Sequence, residues 1–95
     1  MRRRNWSVRE RDIEAYLVRR VKALGGEIRK LRWIGRRGAP DRVVMLPGGL
    51  LYWVELKRTG GTAEAHQARE HARMLKMGQR VLVLDTIAKI DGVLV

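Results

Sequence analysis

Three residues set the chemistry within reach of this 95-residue sequence: Asp41, Glu55 and Lys57. Asp41 opens the apolar run Val43-Val44-Met45-Leu46. Glu55 and Lys57 close a second run that starts at Leu50, and Pro47-Gly48-Gly49 lies between the two. A Pro-Gly-Gly step between two apolar segments predicts a tight turn and hence a β-hairpin, with strands over 41–46 and 50–57. With the turn centred on Gly48, the numbers of facing residues add to about 96, which sets Asp41 opposite Glu55. Side chains alternate along a strand, so Leu51, Trp53, Glu55 and Lys57 share one face. Two carboxylates and an ammonium then converge at one end of the hairpin. Magnesium takes hard oxygen ligands and keeps several waters, so two carboxylates and a backbone carbonyl are enough protein ligands for it. A lysine beside them can orient a metal-bound water or help to deprotonate it. Singly, each residue has a plainer reading: Asp41 as a turn residue, Glu55 and Lys57 as a surface ion pair of little energetic value. Against the second reading, they sit in an apolar strand that the fold buries, where unpaired charge is expensive.

The surrounding elements must hold these residues in place. Ser7-Val8-Arg9-Glu10 reads as a capping box, and Trp6 before it as a hydrophobic staple. Ile13, Leu17, Val21 and Leu24 follow at helical spacing, and Gly25-Gly26 ends that helix. Residues 27–33 read as a strand, and 34–40 as a loop rich in glycine and arginine. After the hairpin, Thr62 is the expected cap of a second helix, with Glu64 in its first turn and Ala65, Ala68, Ala72 and Leu75 as its apolar stripe. Residues 80–84 form a further strand, which can lie parallel to a neighbour because a helix precedes it. Residues 86–94 can close the chain as a short helix. The order is α-β-β-β-α-β with a last short α, in one domain spanning 1–95 and a basic arm at 1–6.

Charge indicates what the domain meets. Lys and Arg number 21 against 10 Asp and Glu, a net charge of +11, and sixteen of the 21 are arginine. Residues 1–42 hold 14 basic and 5 acidic residues, a net of +9, so the excess sits in the first half. Arginine makes forked contacts to phosphate, and so much charge on so small a domain favours nucleic acid over a membrane surface. The candidates for backbone contact are Arg19, Arg20, Arg29, Lys30, Arg32, Arg36, Arg37 and Arg42. Arg42 can equally serve a carboxylate inside the protein. The absence of cysteine excludes a disulfide scaffold, a Cys-ligated zinc finger and a thiol nucleophile. His66 and His71 are five apart, off the spacing of one helical face, so they read as polar helix positions rather than zinc ligands. Trp33 can stack on a base, although a core or interface role is commoner for tryptophan. No apolar run spans a membrane and no secretory signal opens the chain, so the expected location is the cytoplasm of a bacterium or an infected host cell.

Pro40-Asp41 followed by Glu55-Leu56-Lys57 resembles the PD-(D/E)xK nuclease pattern. The wider set of Glu14, Gly38-Ala39-Pro40-Asp41-Arg42, Glu55-Leu56-Lys57 and Gln67 resembles one branch of it, the standalone phage or bacterial VRR-NUC (virus-type replication-repair nuclease) domain, over about residues 12–85. The short motifs recur by chance when taken alone, and their order on compatible elements carries the resemblance. It implies an α/β, restriction-endonuclease-like αβββαβ core with a mixed sheet flanked by helices. It also implies an endonuclease dependent on Mg²⁺ or Mn²⁺, in which Asp41, Glu55 and the Leu56 carbonyl hold the metal. Glu14 then reaches the metal or its water, Lys57 positions or activates the attacking water, and Gln67 steadies Lys57 or the scissile phosphate. Branched DNA, with four-way junctions first, is the implied substrate, and the products carry a 5′-phosphate and a 3′-hydroxyl. Two cuts in a symmetric junction call for a homodimer. The apolar tail Ile87, Ile90, Val93, Leu94 and Val95 and the tryptophans are candidates for its interface. The rival readings are a noncatalytic basic nucleic-acid-binding module, including a small RNA-binding protein, and a restriction-type endonuclease.

Overall fold

The computed structural model describes residues 7–95. Its elements run α1 (Glu10–Ala23), β1 (Glu27–Lys30), β2 (Arg42–Leu46), β3 (Leu50–Leu56), α2 (Ala65–Lys76), β4 (Val81–Leu84) and α3 (Ile87–Val93). This is the order read from the sequence, with a first strand three residues shorter. The four strands form one mixed sheet in the order β1-β2-β3-β4. The first three are antiparallel, and β4 runs parallel to β3 after the α2 crossover. None of the helices among the described residues is long and apolar enough to cross a membrane.

The hairpin register fixes the site. Arg42 faces Val54, Val44 faces Tyr52 and Leu46 faces Leu50, the pairing expected from a turn centred on Gly48. Gly48 and Gly49 both have positive φ, at 88° and 81°, which is why the turn can be so short. The even-numbered hairpin residues, among them Val44, Val54 and Leu56, point to one face with Leu84. There they meet Ile13, Leu17 and Val21 of α1 and Ile90 of α3. This is the apolar core, and Ile13, Leu17 and Val21 are each no more than 1% exposed.

Three terminal features differ from expectation. Ser7 does not cap α1. Arg9 is the N-cap in extended backbone with no side-chain cap bond, because the preceding chain is tied to the end of the hairpin. Val8 N–H donates to Thr59 Oγ1 (3.1 Å), and Thr59 N–H donates to the Val8 carbonyl (2.9 Å). The cap of α2 is Glu64, two residues after Thr62, and Glu64 and Gln67 form a reciprocal capping box. The C-terminal apolar residues are used by the chain's own core: Ile90 is 0% and Leu94 3% exposed, and Ile87 and Val93 pack against them. Of that set, Val95 stands free in solvent at 98% exposed. The staple residue Trp6 and the basic arm lie outside the described residues.

Candidate active site

The opposite face of the sheet carries Trp53 and Glu55 from β3, and α2 lies over it. The expected stripe of Ala65, Ala68, Ala72 and Leu75 is turned to solvent, and the buried residues of α2 are Glu70, His71 and Met74. The reason is chemical. Alanine offers little area to bury, whereas buried charges on the sheet need hydrogen-bond partners, so the helix presents its polar side inward.

Asp41 sits one residue before β2, and its Oδ1 accepts the Leu56 backbone N–H at 3.1 Å. Glu55 is 3% exposed. Its Oε2 accepts from Gln67 Nε2 at 2.8 Å and lies 3.4 Å from Lys57 Nζ. Lys57 Nζ also donates to Gln67 Oε1 at 3.1 Å, and the same oxygen accepts the Glu64 N–H at 2.9 Å. One amide therefore orients the acid, the lysine and the first turn of α2. Glu55 Oε1 is buried with no hydrogen-bond partner among the described residues. Burial raises the pKa of both carboxyls. For Asp41 the Leu56 N–H and the charges of Arg42 and Lys57 oppose this. For Glu55 the Asp41 charge adds to it, while Lys57 and Gln67 oppose. Such a pair gains from an added cation. The N–H and C=O of one strand residue point the same way, so the Leu56 carbonyl lies on the side where Asp41 meets its N–H.

Glu14 is paired with Arg42. Its Oε2 is gripped by Arg42, through Nη2 and through Nε at 2.8 Å, and Arg42 Nη1 donates to the Asp41 carbonyl at 2.9 Å. Among the described residues no three His, Cys, Asp or Glu side chains gather as a metal group. Glu14 thus reaches Asp41 through Arg42 rather than joining the two acids. The same pair engages Arg42 inside the protein, its side chain 12% exposed. Arg20 is likewise engaged, with Asp91, the Leu94 carbonyl and Tyr16 Oη, where it ties α1 to α3. Arg19, Lys30, Arg32 and Arg37 remain exposed. Arg29 is exposed and pairs with Glu27, and Arg36 pairs with Glu70.

Three residues near the site escaped the sequence reading. His71, read as a polar helix position, is 6% exposed, and its Nε2 has no partner among the described residues. Burial lowers its pKa, helped by Lys57 and opposed by Glu70 and Asp41. It lies one helical turn after Gln67, and that i, i+4 relation was the available signal. Arg9 and Arg58 line an open groove of about 580 Å³ with Lys57, Gly60 and Gly61. The Gly60 N–H is fixed by Asp85 Oδ2 at 3.0 Å, which holds the far wall of that groove. Trp33 and Trp53 are half-buried: they meet edge to face at 5.8 Å, and Trp33 Nε1 donates to Glu70 and Trp53 Nε1 to Gln79.

The chain is similar to known proteins. The chain is 46% identical over 79 residues to "Putative nuclease p44" of Acyrthosiphon pisum secondary endosymbiont phage 1, covering 83% of this chain and 85% of that protein. A solved structure of a VRR-NUC domain superposes with a TM-score of 0.84 at 40% identity, covering 88% of this chain and 91% of the other. No family model matches the sequence.

Proposed function

The chain belongs to the VRR-NUC family, and from that premise we propose that it is a metal-dependent endonuclease that hydrolyses phosphodiester bonds in branched DNA, four-way junctions foremost. The observation that carries the reading is Glu55 Oε1, a buried carboxylate oxygen without a partner, beside Asp41 and Lys57. Asp41, Glu55 and the Leu56 carbonyl are a hard-oxygen set that would hold Mg²⁺ or Mn²⁺. A divalent cation bound there supplies Lewis acidity and acidifies its water. The protein's own residues do the rest. Lys57 offsets negative charge that builds on the phosphoryl oxygens during attack by water. Gln67 keeps Lys57 and Glu55 in register, and Glu14 acts at one remove by clamping Arg42 against the Asp41 carbonyl. The groove between Arg9 and Arg58 leads phosphate to Lys57. No side chain here serves as a covalent nucleophile, so water attacks directly and leaves a 5′-phosphate and a 3′-hydroxyl. Two cuts in one junction need two copies of the chain, and light scattering that returned only monomer at working concentration would remove that part of the reading.

A noncatalytic binding module fits less well, because a binder gains nothing from a buried acid and a partly buried one held beside a lysine at an energetic cost. A restriction-type enzyme needs a base-reading element, for which the chain has little room. The deciding assay incubates the protein with Mg²⁺ or Mn²⁺ and labelled duplex, flap, four-way junction and RNA. Cleavage of the junction is expected, with a loss of about 10²–10³-fold or more in Asp41→Ala and Lys57→Ala. No cleavage of any substrate by the intact protein rejects the enzyme, and cleavage that survives either substitution rejects the site.

A further inference from the structure

The segment joining β1 to β2 carries Arg32, Arg36 and Arg37 within six residues and no acid among them. At its tip Ile34 is 97% exposed, and Gly35 follows with φ +85°. A lone exposed apolar side chain is ordinary on a protein surface. The mounting of this one is not. Residues on both sides of it are pinned to a single buried carboxylate: Trp33 Nε1 donates to Glu70 Oε2 at 2.7 Å and Arg36 Nη2 to Glu70 Oε1 at 2.9 Å. Hydrogen bonds from Arg73 and Trp33 and the charge of Arg36 outweigh the effect of burial and hold Glu70 below its usual pKa, so it stays ionised as the anchor. Trp33 also leans edge-on against Trp53 of the sheet. At the other end of the segment Gly38 is pressed onto α2, where a Cβ would come within 2.7 Å of the His66 carbonyl oxygen. A firm base thus raises one bare β-branched side chain between arginines, and that base rests on α2, the helix whose Gln67 orders the site.

We propose that Ile34 is a wedge that enters the base stack at a DNA branch point, with Arg32 and Arg37 on the phosphates to either side. Proteins that part base steps do so with apolar side chains of this kind, and entry is easiest where pairing is already interrupted. The surrounding positive charge selects a polyanion over a protein partner as the occupant. The inference rests on the branched-DNA nuclease reading and names the element that would select the branch. It also limits where cutting occurs. Seven residues separate Ile34 from Asp41, at most about 24 Å of extended chain, or about seven nucleotide steps along a strand.

The test uses the full chain with Ile34→Ser and Ile34→Leu, on a four-way junction and a linear duplex of matched sequence, with 2-aminopurine beside the crossover. Binding is read by fluorescence in an Asp41→Asn background, so that the DNA stays intact. The expected result is a fluorescence rise on binding the junction that Ile34→Ser loses and Ile34→Leu keeps. In the active protein the ratio of junction to duplex cleavage falls tenfold or more in Ile34→Ser. An equal rise with Ile34→Ser, or no rise with the Ile34 protein, overturns the wedge, as does an unchanged cleavage ratio. If the Ile34 protein cuts junction and duplex alike, the branch-selective reading fails on its own terms, and if it cuts neither, the nuclease reading fails. The fluorescence then decides the wedge separately, its loss in Ile34→Ser supporting it and its persistence overturning it.

Discussion

The two faces of the sheet solve opposite problems with the same kind of element. On the side of α1 and α3, apolar strand residues meet the apolar stripe of a helix, and every buried side chain gains by leaving water. On the side of α2, the sheet carries buried Glu55, and the covering helix turns Glu70 and His71 inward while its alanines face solvent. One face contributes stability. The other gives up some of it to keep two acids, a lysine and an orphaned oxygen in one place, the mark of a site where local rules yield to function.

The contrast can be broken or sharpened in four ways. Leu17→Ala on the apolar face is expected to cost about 2–5 kcal/mol in chemical denaturation while leaving the cleavage rate per folded molecule unchanged. A fall in that rate would mean that the two faces are not separable. Gln67→Ala on the polar face joins both kinds of effect. Loss of its part in the capping box should cost about 1 kcal/mol, and nuclease activity should fall more than stability does, because Lys57 and Glu55 both lose their guide. Asp41→Asn separates them by pH. Its carboxyl is raised in the folded chain, so the neutral form is the one that favours folding, and that advantage is lost as pH rises through the folded pKa. The metal-free Asp41→Asn chain is therefore expected to melt above the parent at neutral pH and level with it in acid. The reverse order in thermal melts would show that the Leu56 N–H and the nearby cations, and not burial, govern the group. Last, Ala68→Lys and Ala72→Lys on α2 should change stability by less than about 0.5 kcal/mol, since both point to solvent. A large loss would put the alanine stripe back in the core.

The same contrast explains what could be read from the sequence. The α1 stripe was legible because Ile13, Leu17 and Val21 have only one favourable place to go. The hairpin register followed from a three-residue turn and brings Asp41, Glu55 and Lys57 to one end, where Gln67 joins them from α2. The orientation of α2 was not read, because alanines at helical spacing look alike whether a helix hides or shows them, polar Glu70 carries no sign of burial, and the one signal for His71 was its place a turn after Gln67. The link from Glu14 through Arg42 depends on contact across 28 positions, which periodicity cannot express. The C-terminal apolar residues were recognisable as a surface in need of cover, and this chain's own core takes up Ile90 and Leu94.

The positions of the site along the chain have a kinetic consequence. The two acids, the lysine and the glutamine that binds Glu55 and Lys57 all fall within residues 41–67, a span closed by one tight turn and one short connection. The apolar core, by contrast, must join Ile13 near one end of the chain to Leu94 near the other. The entropy lost in closing a loop grows with its length, and early folding favours contacts that are near in sequence. The hairpin can therefore set Asp41 against Leu56 before the termini meet. The end that carries the acids is thus expected to take its shape ahead of the core that joins the termini.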